Sequence, residues 1–465
     1  MKYVSTRGGA PDLDFEEVLL GGLARDGGLY LPVRWPQLAP DEIARRAEQS
    51  YAAAAFAVMR PFVGGVIDDD DLERMITTAY AGFDDPAVAP LRRLGDGLFL
   101  LEMFHGPTLA FKDMAMQVLA PMMDHVLKRR GQRLTIVGAT SGDTGGAAIS
   151  AFRGRDAIDI FILHPHDRVS DFQRRQMTTA TEANVFNIAV QGTFDDCQGL
   201  VKALFGDLAF RDRHALGAVN SINWARVMAQ IVYYFTSAAA SGAGTPVSFT
   251  VPTGNFGDIF AGYAAARMGL PVDRLVIATN INDILVRTLE TGRYQPGIVS
   301  ATSSPSMDIQ VSSNFERLLF EAYDRDGAAV VRLMDDLARS GAFAIAPGPL
   351  EAIRARFDAG RASEAETMTI IGEVYEREGL LIDPHTAVGL AVARAGRTRG
   401  DAGPMIVLAT ADPAKFPDAI RTATGTVPEA PPGVLDALSG PERFTVMEND
   451  LDALRGFIEK NATTE

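Results

Sequence analysis

One lysine stands in a segment whose composition could make it chemically reactive. Lys112 lies in the stretch HGPTLAFKDMA, directly after Phe111 and before the helical pattern DMAMQVLAPMMDHVLKRR. Apolar surroundings and the positive end of a helix both disfavour a charged ammonium group. A neutral amine is a nucleophile that can form a Schiff base with an aldehyde. Because most lysines are simply solvated, the pattern alone leaves an ordinary surface role open.

Two loops that follow apolar runs could bind an anion through their backbone. Each precedes a helical pattern, so its N–H groups would converge at a helix N-terminus, where a carboxylate or phosphate is stabilised. A tight structural turn is the alternative for each loop. Because neither matches G-x-G-x-x-G or G-x-x-x-x-G-K-[ST], the sequence predicts neither a dinucleotide site nor a P-loop. The SGDTG loop contains Ser141, Gly142, Asp143 and Thr144, and the GNFGD loop contains Gly254, Asn255, Phe256, Gly257 and Asp258.

A third cluster of polar residues forms the NSINWAR segment. It gathers two amides, a hydroxyl and a guanidinium group at the start of a helical pattern: Asn220, Ser221, Asn223 and Arg226. Asn220 and Arg226 could face the same anion, although a capped helix with a surface arginine also explains the pattern. Thr410 follows the apolar run MIVLA and would point its hydroxyl toward the same crevice, unless it is only structural.

The histidines and the single cysteine indicate no metal site. His164 and His166 flank a proline that restricts their approach to one ion, and no third ligand is near in sequence. H-E-x-x-H and G-x-S-x-G are both absent. His105 lies beside the lysine segment and could line a site or be an ordinary hydrogen-bonded histidine. The lone Cys197 excludes an internal disulfide and fits a reducing compartment.

These residues need strands and helices that hold them in one crevice. After Pro90, helical patterns alternate with short apolar runs: LFLLEMF, RLTIVGAT, IDIFILHP, PVSFTVPT, RLVIATN and MIVLAT. This alternation is typical of parallel strands buried on both faces and joined by helical crossovers. It predicts an α/β fold with two open, mainly parallel sheets after a helical N-terminal region. The predicted segments are 1–95, a smaller α/β domain at 96–245 that carries the lysine and the SGDTG loop, and a larger α/β domain at 246–465.

Four other segments have helical character. DEIARRAEQSYAAAAFAVMRPF and DDDDLERMITTAY predict capped amphipathic helices with acidic starts. VMAQIVYYFTSAAA predicts a buried helix, too short and mixed to span a bilayer. Residues 325–380 are predicted to be mostly helical, with solvated charged faces such as EAIRARFDAGRASEAETM.

Length and charge limit the kinds of function. The chain has 465 residues, more than one ordinary core holds, so two or three domains are expected. Its formal net charge of −15 argues against nucleic acid or an anionic membrane as the main partner. Local cations or backbone N–H groups must therefore meet any anionic ligand. The stretch MKYVSTRGGAPDLDF lacks the pattern of a signal peptide, so we expect a cytoplasmic protein.

Taken together, the motifs resemble the threonine synthase family, whose members are pyridoxal-phosphate enzymes of fold type II. The resemblance covers nearly the whole chain and is closest to the bacterial and fungal type. It implies two α/β domains of the kind found in the tryptophan synthase β subunit, the larger of which binds the cofactor. It is carried by YVSTRG, GGLARDGGLYLP, HGPTLAFKD, GATSGDTG, NSINWAR, PTGNFGD, ATNINDIL, SPSMDIQVSSNFERLLF, DPHTAVG and ATADPAKF.

The resemblance also implies a role for each candidate residue. Lys112 would hold pyridoxal 5'-phosphate as a Schiff base, and Thr410 would hydrogen-bond the pyridine nitrogen. The GNFGD loop would grip the cofactor phosphate. The SGDTG loop would bind the substrate carboxylate and approach the ring hydroxyl, with the Asp143 side chain turned away from that carboxylate. The phosphate of the substrate would be held by Asn220, Ser221, Asn223 and Arg226.

The implied reaction converts O-phospho-L-homoserine and water to L-threonine and phosphate, by γ-elimination followed by addition of water at Cβ. A related fold type II activity, such as that of threonine dehydratase or cysteine synthase, is the nearest alternative. A catalytically silent binding protein that resembles threonine synthase is another. The NSINWAR segment favours a phosphorylated substrate over the first alternative. Members of the family include monomers and dimers, so either state is expected.

Overall fold

The N-terminal region pairs two short strands and carries three of the helices. The computed structural model describes residues 1–39, 42–43, 49–95, 97–242, 246–398 and 403–463. The helices Phe15–Gly21, Tyr51–Val63 and Asp69–Tyr80 lie in this region. The third of them confirms the helix predicted from DDDDLERMITTAY, and the second confirms the later part of the helix predicted before it. Residues 41 and 44–48 of that earlier prediction lie outside the described residues.

The strands of the described chain are numbered β1 to β15 in sequence order. Most of them are short apolar runs, as the alternation of patterns predicts. Their bounds are β1 Tyr3–Ser5, β2 Tyr30–Pro32, β3 Leu91–Gly95, β4 Leu98–Glu102, β5 Leu134–Ala139, β6 Ile158–Pro165, β7 Val185–Gln191, β8 Leu216–Gly217, β9 Val247–Pro252, β10 Val272–Thr279, β11 Arg293–Tyr294, β12 Phe343–Ala344, β13 Phe357–Arg361, β14 Met405–Ala409 and β15 Thr445–Glu448.

Two mainly parallel sheets form the body of the protein, which confirms the predicted fold class. The larger has six strands in the order β13-β10-β9-β14-β4-β3, and only the edge strand β3 is antiparallel to its neighbour. The smaller has five parallel strands in the order β15-β7-β6-β5-β8. The central strands β6, β9 and β14 are buried along their whole length. This burial explains why they lack the polar alternation of a half-exposed strand.

Sheet membership crosses the segment boundaries predicted from the sequence. β4 lies inside the predicted smaller domain at 96–245, but it pairs with β14 in the larger sheet. β15 lies inside the predicted larger domain at 246–465, but it pairs with β7 in the smaller sheet. Neither sheet is therefore built from one continuous segment. An apolar run reports that a strand is buried, but it carries no information about which sheet the strand joins.

Helices connect the strands and cover both sheets. Trp224–Ala240 is buried along most of its length, which confirms the buried helix predicted from VMAQIVYYFTSAAA. The helices after the N-terminal region are Asp113–Arg130, Asp143–Phe152, Asp171–Thr178, Phe194–Gly206, Leu208–Arg213, Trp224–Ala240, Gly257–Arg267, Ile284–Thr291, Phe315–Ala322, Gly327–Ser340, Pro347–Arg354, Glu364–Glu378, Pro384–Thr398, Pro417–Thr424, Pro432–Leu438 and Leu451–Asn461.

The charged run at 351–368 contains a strand that the helical prediction missed. Phe357–Arg361 forms β13, which pairs in parallel with β10 at the edge of the larger sheet. Only Phe357 of these five residues is fully buried, because one side of an edge strand faces solvent. The sequence FDAGR therefore lacks the apolar run typical of the central strands. The flanking helices Gly327–Ser340, Pro347–Arg354 and Glu364–Glu378 confirm the rest of that prediction.

Candidate active site

Lys112 lies at the start of a helix and is buried. It is the residue before the helix Asp113–Arg130, and only 8% of its surface is exposed. The N–H of Phe111 donates to the carbonyl of Thr410 at 2.8 Å, so the lysine segment lies against the carboxyl end of β14. Burial lowers the pKa of Lys112, helped by the nearby charges of Lys415 and Arg226 and opposed by Asp143. The amine is buried as the sequence predicts, but its surroundings include the charged side chains of Asp143, Lys415 and Arg226.

The SGDTG loop follows β5 and begins the helix Asp143–Phe152. Gly142 has a φ of 150°, and a Cβ at this position would lie 2.4 Å from the Gln173 side chain, so only glycine fits. The Thr140 hydroxyl accepts hydrogen bonds from the N–H groups of Gly142 and Gly145. The loop therefore satisfies some of its backbone donors internally, and the helix N-terminus that it forms points into the crevice beside Lys112.

The Asp143 side chain points toward two lysines. One oxygen lies 3.4 Å from Lys112 Nζ, and the other lies 3.0 Å from Lys415 Nζ. Gln173 also donates to the carboxylate at 2.8 Å. Burial would raise the pKa of this carboxyl, but the charges of Lys415 and Lys112 outweigh burial and hold the pKa well below its usual range. This orientation shows how a negative charge is accommodated in a loop with the shape of an anion site.

Sequence reasoning missed Lys415. Its Nζ is enclosed and donates to the Thr108 carbonyl at 2.7 Å and to Gln176 Oε1 at 2.9 Å, in addition to the Asp143 contact. These partners lie about 240 to 310 positions away along the chain, so no local pattern reports them. The one available signal was proximity, since Lys415 follows Thr410 by five residues in the ATADPAKF motif.

The GNFGD loop follows β9 and begins the helix Gly257–Arg267. Phe256 has a φ of 65°, which places it in the left-handed region. A Cβ on Gly254 would lie 2.7 Å from the Ser306 carbonyl, so the loop packs closely on the turn Pro305–Met307. The loop is braced on its other side, because the Asn255 carbonyl accepts from the N–H and the amide of Asn314 at 3.0 and 2.9 Å.

The Asp258 carboxylate points away from the loop. Its Oδ1 accepts hydrogen bonds from the hydroxyl groups of Tyr233 at 2.6 Å and Tyr234 at 3.0 Å. Burial raises the pKa of Asp258 to about 6, although the two tyrosines oppose the increase. The side chain therefore connects the helix Gly257–Arg267 to the helix Trp224–Ala240, and the Asp258 carbonyl also accepts from the Tyr234 hydroxyl at 3.0 Å.

The structure uses Asn223 for a different purpose from the predicted one. Its side-chain oxygen accepts from the Ala225 N–H at 2.9 Å and caps the helix Trp224–Ala240. Its side-chain nitrogen donates to the Leu19 carbonyl at 2.9 Å, and the residue is fully buried. The prediction that Asn223 holds the substrate phosphate conflicts with these two structural bonds. An asparagine before a helix is a common cap, and the capping alternative explains it.

Arg226 is buried, so the alternative of a surface arginine is wrong. It is 4% exposed and donates from Nη1 to the Val219 carbonyl at 3.0 Å. Its Nε has no hydrogen-bond partner, and no carboxylate pairs with it in the described part of the chain. Burial lowers the pKa of Arg226 to about 10. The preceding residues Asn220 and Ser221 remain partly or fully exposed beside it.

Three histidines of the described chain differ in their hydrogen-bond partners. His385 accepts from the Ser306 N–H at 3.2 Å and contacts Asp383 at 2.8 Å, so its proton lies on the nitrogen that faces Asp383. His105 contacts Glu102 at 3.0 Å, and neither ring nitrogen of the buried His164 has a partner. Within the described residues, no group of three or more His, Cys, Asp or Glu side chains could hold a metal ion.

A cavity of about 990 Å³ adjoins the site between the N-terminal region and the smaller sheet. Thr144 and Asn220 are among its lining residues, as are basic residues such as Arg25 and Arg213. Lys112 and the GNFGD loop are absent from its described lining. The cavity therefore reaches the SGDTG loop and the NSINWAR segment, but Lys112 is not among its lining residues.

Comparison with known proteins gives a consistent family assignment. Models for the threonine synthase N terminus, the pyridoxal-phosphate dependent enzymes and the threonine synthase C-terminal region match residues 2–80, 86–346 and 386–458. Threonine synthase of Pseudomonas aeruginosa is 51% identical, covering 99% of this chain and 98% of that protein. No helix in the described part of the chain is long and apolar enough to cross a membrane.

Solved structures give the same result. A crystal structure of PLP-bound threonine synthase from Brucella melitensis matches with a TM-score of 0.97 and 56% identity, covering all of both chains. Threonine synthase from yeast matches with a TM-score of 0.93 and 39% identity, covering 99% of this chain and 98% of that one. The buried amine, the two glycine loops and these likenesses lead to one conclusion: this chain belongs to the threonine synthase family of pyridoxal-phosphate-dependent, fold type II enzymes.

Proposed function

We propose that the protein converts O-phospho-L-homoserine and water to L-threonine and phosphate, as a carbon–oxygen lyase acting on a phosphate ester. The observation that carries the substrate assignment is Arg226, a buried cation without a carboxylate partner among the described residues. A buried charge is expensive unless an opposite charge compensates it. A dianionic phosphate in contact with Arg226 would supply that compensation, with Asn220 and Ser221 as additional donors.

The residues fit pyridoxal 5'-phosphate. The buried Lys112 amine with a lowered pKa suits an aldehyde, and the GNFGD loop offers backbone N–H groups at the start of the helix Gly257–Arg267. Gly254 packs closely on the Ser306 carbonyl, which a Cβ would approach to 2.7 Å, so this position of the loop cannot carry a side chain. The Asp258 carboxylate faces Tyr233 and Tyr234, so its charge is directed away from the phosphate. When bound, the cofactor supplies an electrophilic aldehyde and a ring that delocalises negative charge.

Lys112 is proposed to act first as the attachment point of the cofactor and then as a base. With its nitrogen free, the neutral Lys112 amine would accept the proton from the substrate Cα and return protons in later steps. Its lowered pKa favours the neutral form. When the nitrogen is protonated, the Asp143 oxygen at 3.4 Å stabilises the charge.

The remaining residues position the substrate and the ring. The backbone N–H groups at the start of the helix Asp143–Phe152, with Ser141 and Thr144, are proposed to bind the substrate carboxylate. Thr410 is proposed to donate or accept a hydrogen bond at the pyridine nitrogen, because it lies at the end of β14 directly beside the lysine segment. Arg226 would hold the phosphate before and after the Cγ–O bond breaks, which places the leaving group and stabilises its charge.

The test is phosphate release from O-phospho-L-homoserine by the purified holoenzyme. We expect inorganic phosphate and threonine in equal amounts, and neither product from Lys112→Ala, which should also lose the absorbance band of lysine-bound cofactor. L-Threonine and O-acetyl-L-serine serve as rival substrates for the dehydratase and cysteine synthase alternatives. Turnover of either rival without phosphate release would replace the proposal. Binding of phosphohomoserine without any product would identify a silent binding protein.

We propose a cytoplasmic location and a monomer or homodimer, with a small molecule as the main partner. The buried, unpaired Cys197 fits a reducing compartment. The formal net charge of −15 does not favour nucleic acid or an anionic membrane. Sedimentation of the holoenzyme at several concentrations would distinguish the two oligomeric states.

A further inference from the structure

A second buried lysine lies beside the proposed catalytic amine. The Lys415 side chain is 0% exposed, yet the proposed reaction gives it no role. It lies in the turn Pro413–Lys415, just beyond Thr410 at the end of β14. A buried lysine is rare in a folded protein unless its ammonium group is paired. The groups that contact its ammonium nitrogen should therefore explain how its burial is tolerated.

The partners of Lys415 match a charged ammonium group. The three N–H donors face three acceptors: the Thr108 carbonyl at 2.7 Å, Gln176 Oε1 at 2.9 Å and Asp143 Oδ1 at 3.0 Å. One of the three is a carboxylate that is itself buried. Full hydrogen bonding and an ion pair are the conditions under which a buried charge is tolerated. Lys415 and Asp143 thus form a fixed ion pair inside the site.

The same carboxylate also faces the catalytic amine. Asp143 Oδ2 lies 3.4 Å from Lys112 Nζ, so one negative charge stands between two lysine nitrogens. The contact with Lys415 is the shorter of the two. Gln173 donates to the Lys415-side oxygen at 2.8 Å and further fixes the orientation of the carboxylate. Ser306 lies 3.4 Å from the oxygen that faces Lys112.

We propose that Lys415 is a positioning residue that engages Asp143, so that the Asp143 charge is shared and the Lys112 nitrogen can release its proton at neutral pH. This inference rests on the proposed function, since it takes Lys112 as the group that carries the cofactor and transfers the proton. Without Lys415, the full charge of Asp143 would face Lys112 alone. The protonated form of the Lys112 nitrogen would then be favoured.

The electrostatic surroundings give the sign of the effect. The Lys415 charge lowers the pKa of Lys112, after the larger effect of burial, whereas Asp143 raises it. Removing Lys415 therefore deletes a like charge and strengthens an opposite one, and both changes raise the pKa of Lys112. Other charged or titratable groups that act on these three side chains stay in place in the variant: Arg226 and Asp258 near Lys112, Asp113 and Asp412 near Lys415, and His385 near Asp143.

The experiment is a pH titration of the holoenzyme absorbance without substrate, for the natural protein and three variants. Lys415→Met removes the charge, and Lys415→Arg keeps it. Lys2→Met removes the charge of an exposed lysine outside the cavity lining and serves as the control. For Lys415→Met, we expect the midpoint of the cofactor absorbance change to move up by about one pH unit, a typical size for the loss of a neighbouring charge. The arginine variant and the control should stay near the natural value.

The pH profile of kcat/KM gives the second measurement. The acid limb of Lys415→Met should shift in the same direction, so activity at pH 7 falls about tenfold and recovers as the pH increases. A purely structural role for Lys415 would lower cofactor content or activity at every pH and leave both midpoints in place, and that result would overturn the inference. Absence of phosphate release from the natural protein would instead refute the proposed function, while the absorbance titration would still test the Lys415 effect.

A second variant provides the test if Lys415→Met does not fold. If Lys415→Met yields no soluble holoenzyme, the titration is carried out on Asp143→Asn, which removes the carboxylate between the two lysines. The midpoint must then fall, because the charge that favours the protonated Lys112 nitrogen is gone. An unchanged or higher midpoint in Asp143→Asn would contradict the inference.

Discussion

At the scale of single residues, the sequence predicted Lys112 as the candidate amine but only part of its surroundings. Lys112 and Thr410 could be predicted because each lies at a recognisable boundary between an apolar run and a turn or helix. The structure brings their segments together through backbone hydrogen bonds, from the Phe111 N–H to the Thr410 carbonyl and from the Asp412 N–H to the Leu109 carbonyl. The role of Lys415 could not be predicted, because its partners lie far away along the chain, and the contact of His385 with Ser306 depends on the fold in the same way.

Arg226 gives the sharpest prediction for substrate binding. Arg226→Ala should raise KM for O-phospho-L-homoserine by roughly 30-fold or more, because truncating one partner of a buried charge pair costs about 2 kcal/mol or more. Cofactor content and its absorbance should not change, since Arg226 is proposed to contact the substrate phosphate only. The exposed Arg93→Ala on β3 is the matched control. Equal KM values for the two variants would remove Arg226 from the site.

At the scale of elements, the loop–helix junctions could be predicted from the sequence, but the side-chain contacts that hold them in place could not. The SGDTG and GNFGD loops each follow a buried strand and begin a helix, as the patterns indicated. The sequence did not reveal that Asp258 bonds Tyr233 and Tyr234 on a neighbouring helix, or that Asn223 is a cap. Both residues are polar and lie in motifs that could bind an anion, so the local pattern predicts a role in ligand binding. In the structure, Asp258 instead links two helices and Asn223 caps one of them.

Asp258 makes stability depend on pH in a defined direction. Its pKa is raised to about 6 in the folded protein, above the ordinary value near 3.8. The folded state therefore binds more protons than the unfolded state between these values, and the stability contribution of this group falls as the pH increases through that window. Relative to Asp258→Asn, the melting temperature of the natural protein should fall between about pH 4 and pH 6. A difference that is constant across this range would contradict the assignment.

At the scale of the whole molecule, the chain crosses between the two sheets more often than the sequence indicated. The fold class was predictable because buried parallel strands have continuous apolar runs. The boundaries at 96 and 246 do not match sheet membership, since β4 joins the larger sheet and β15 joins the smaller one. These crossings place the ends of β5, β9 and β14 around one crevice, which is where the candidate residues meet. The three-segment division itself stays a prediction.

The C-terminal segment should stabilise the smaller sheet. Leu454, in the helix Leu451–Asn461, is fully buried in a cluster with Phe161 and Ile188 of that sheet. Leu454→Ala should therefore lower the free energy of unfolding by about 2–5 kcal/mol, as large-to-small changes in a core do. The exposed Leu208→Ala serves as the control. Urea denaturation followed by fluorescence would show the effect, and equal stability of the two variants would contradict this packing.

In the proposed reaction, phosphate leaves by cleavage of the bond from Cγ to oxygen, and water adds at Cβ. The most direct measurement is turnover of O-phospho-L-homoserine in water enriched in oxygen-18, with mass spectrometry of both products. The label is expected in the hydroxyl group of threonine and not in the released phosphate, because the phosphate keeps all four of its original oxygens. Label in the phosphate, accompanied by homoserine instead of threonine, would show simple ester hydrolysis and contradict the proposed elimination and addition of water.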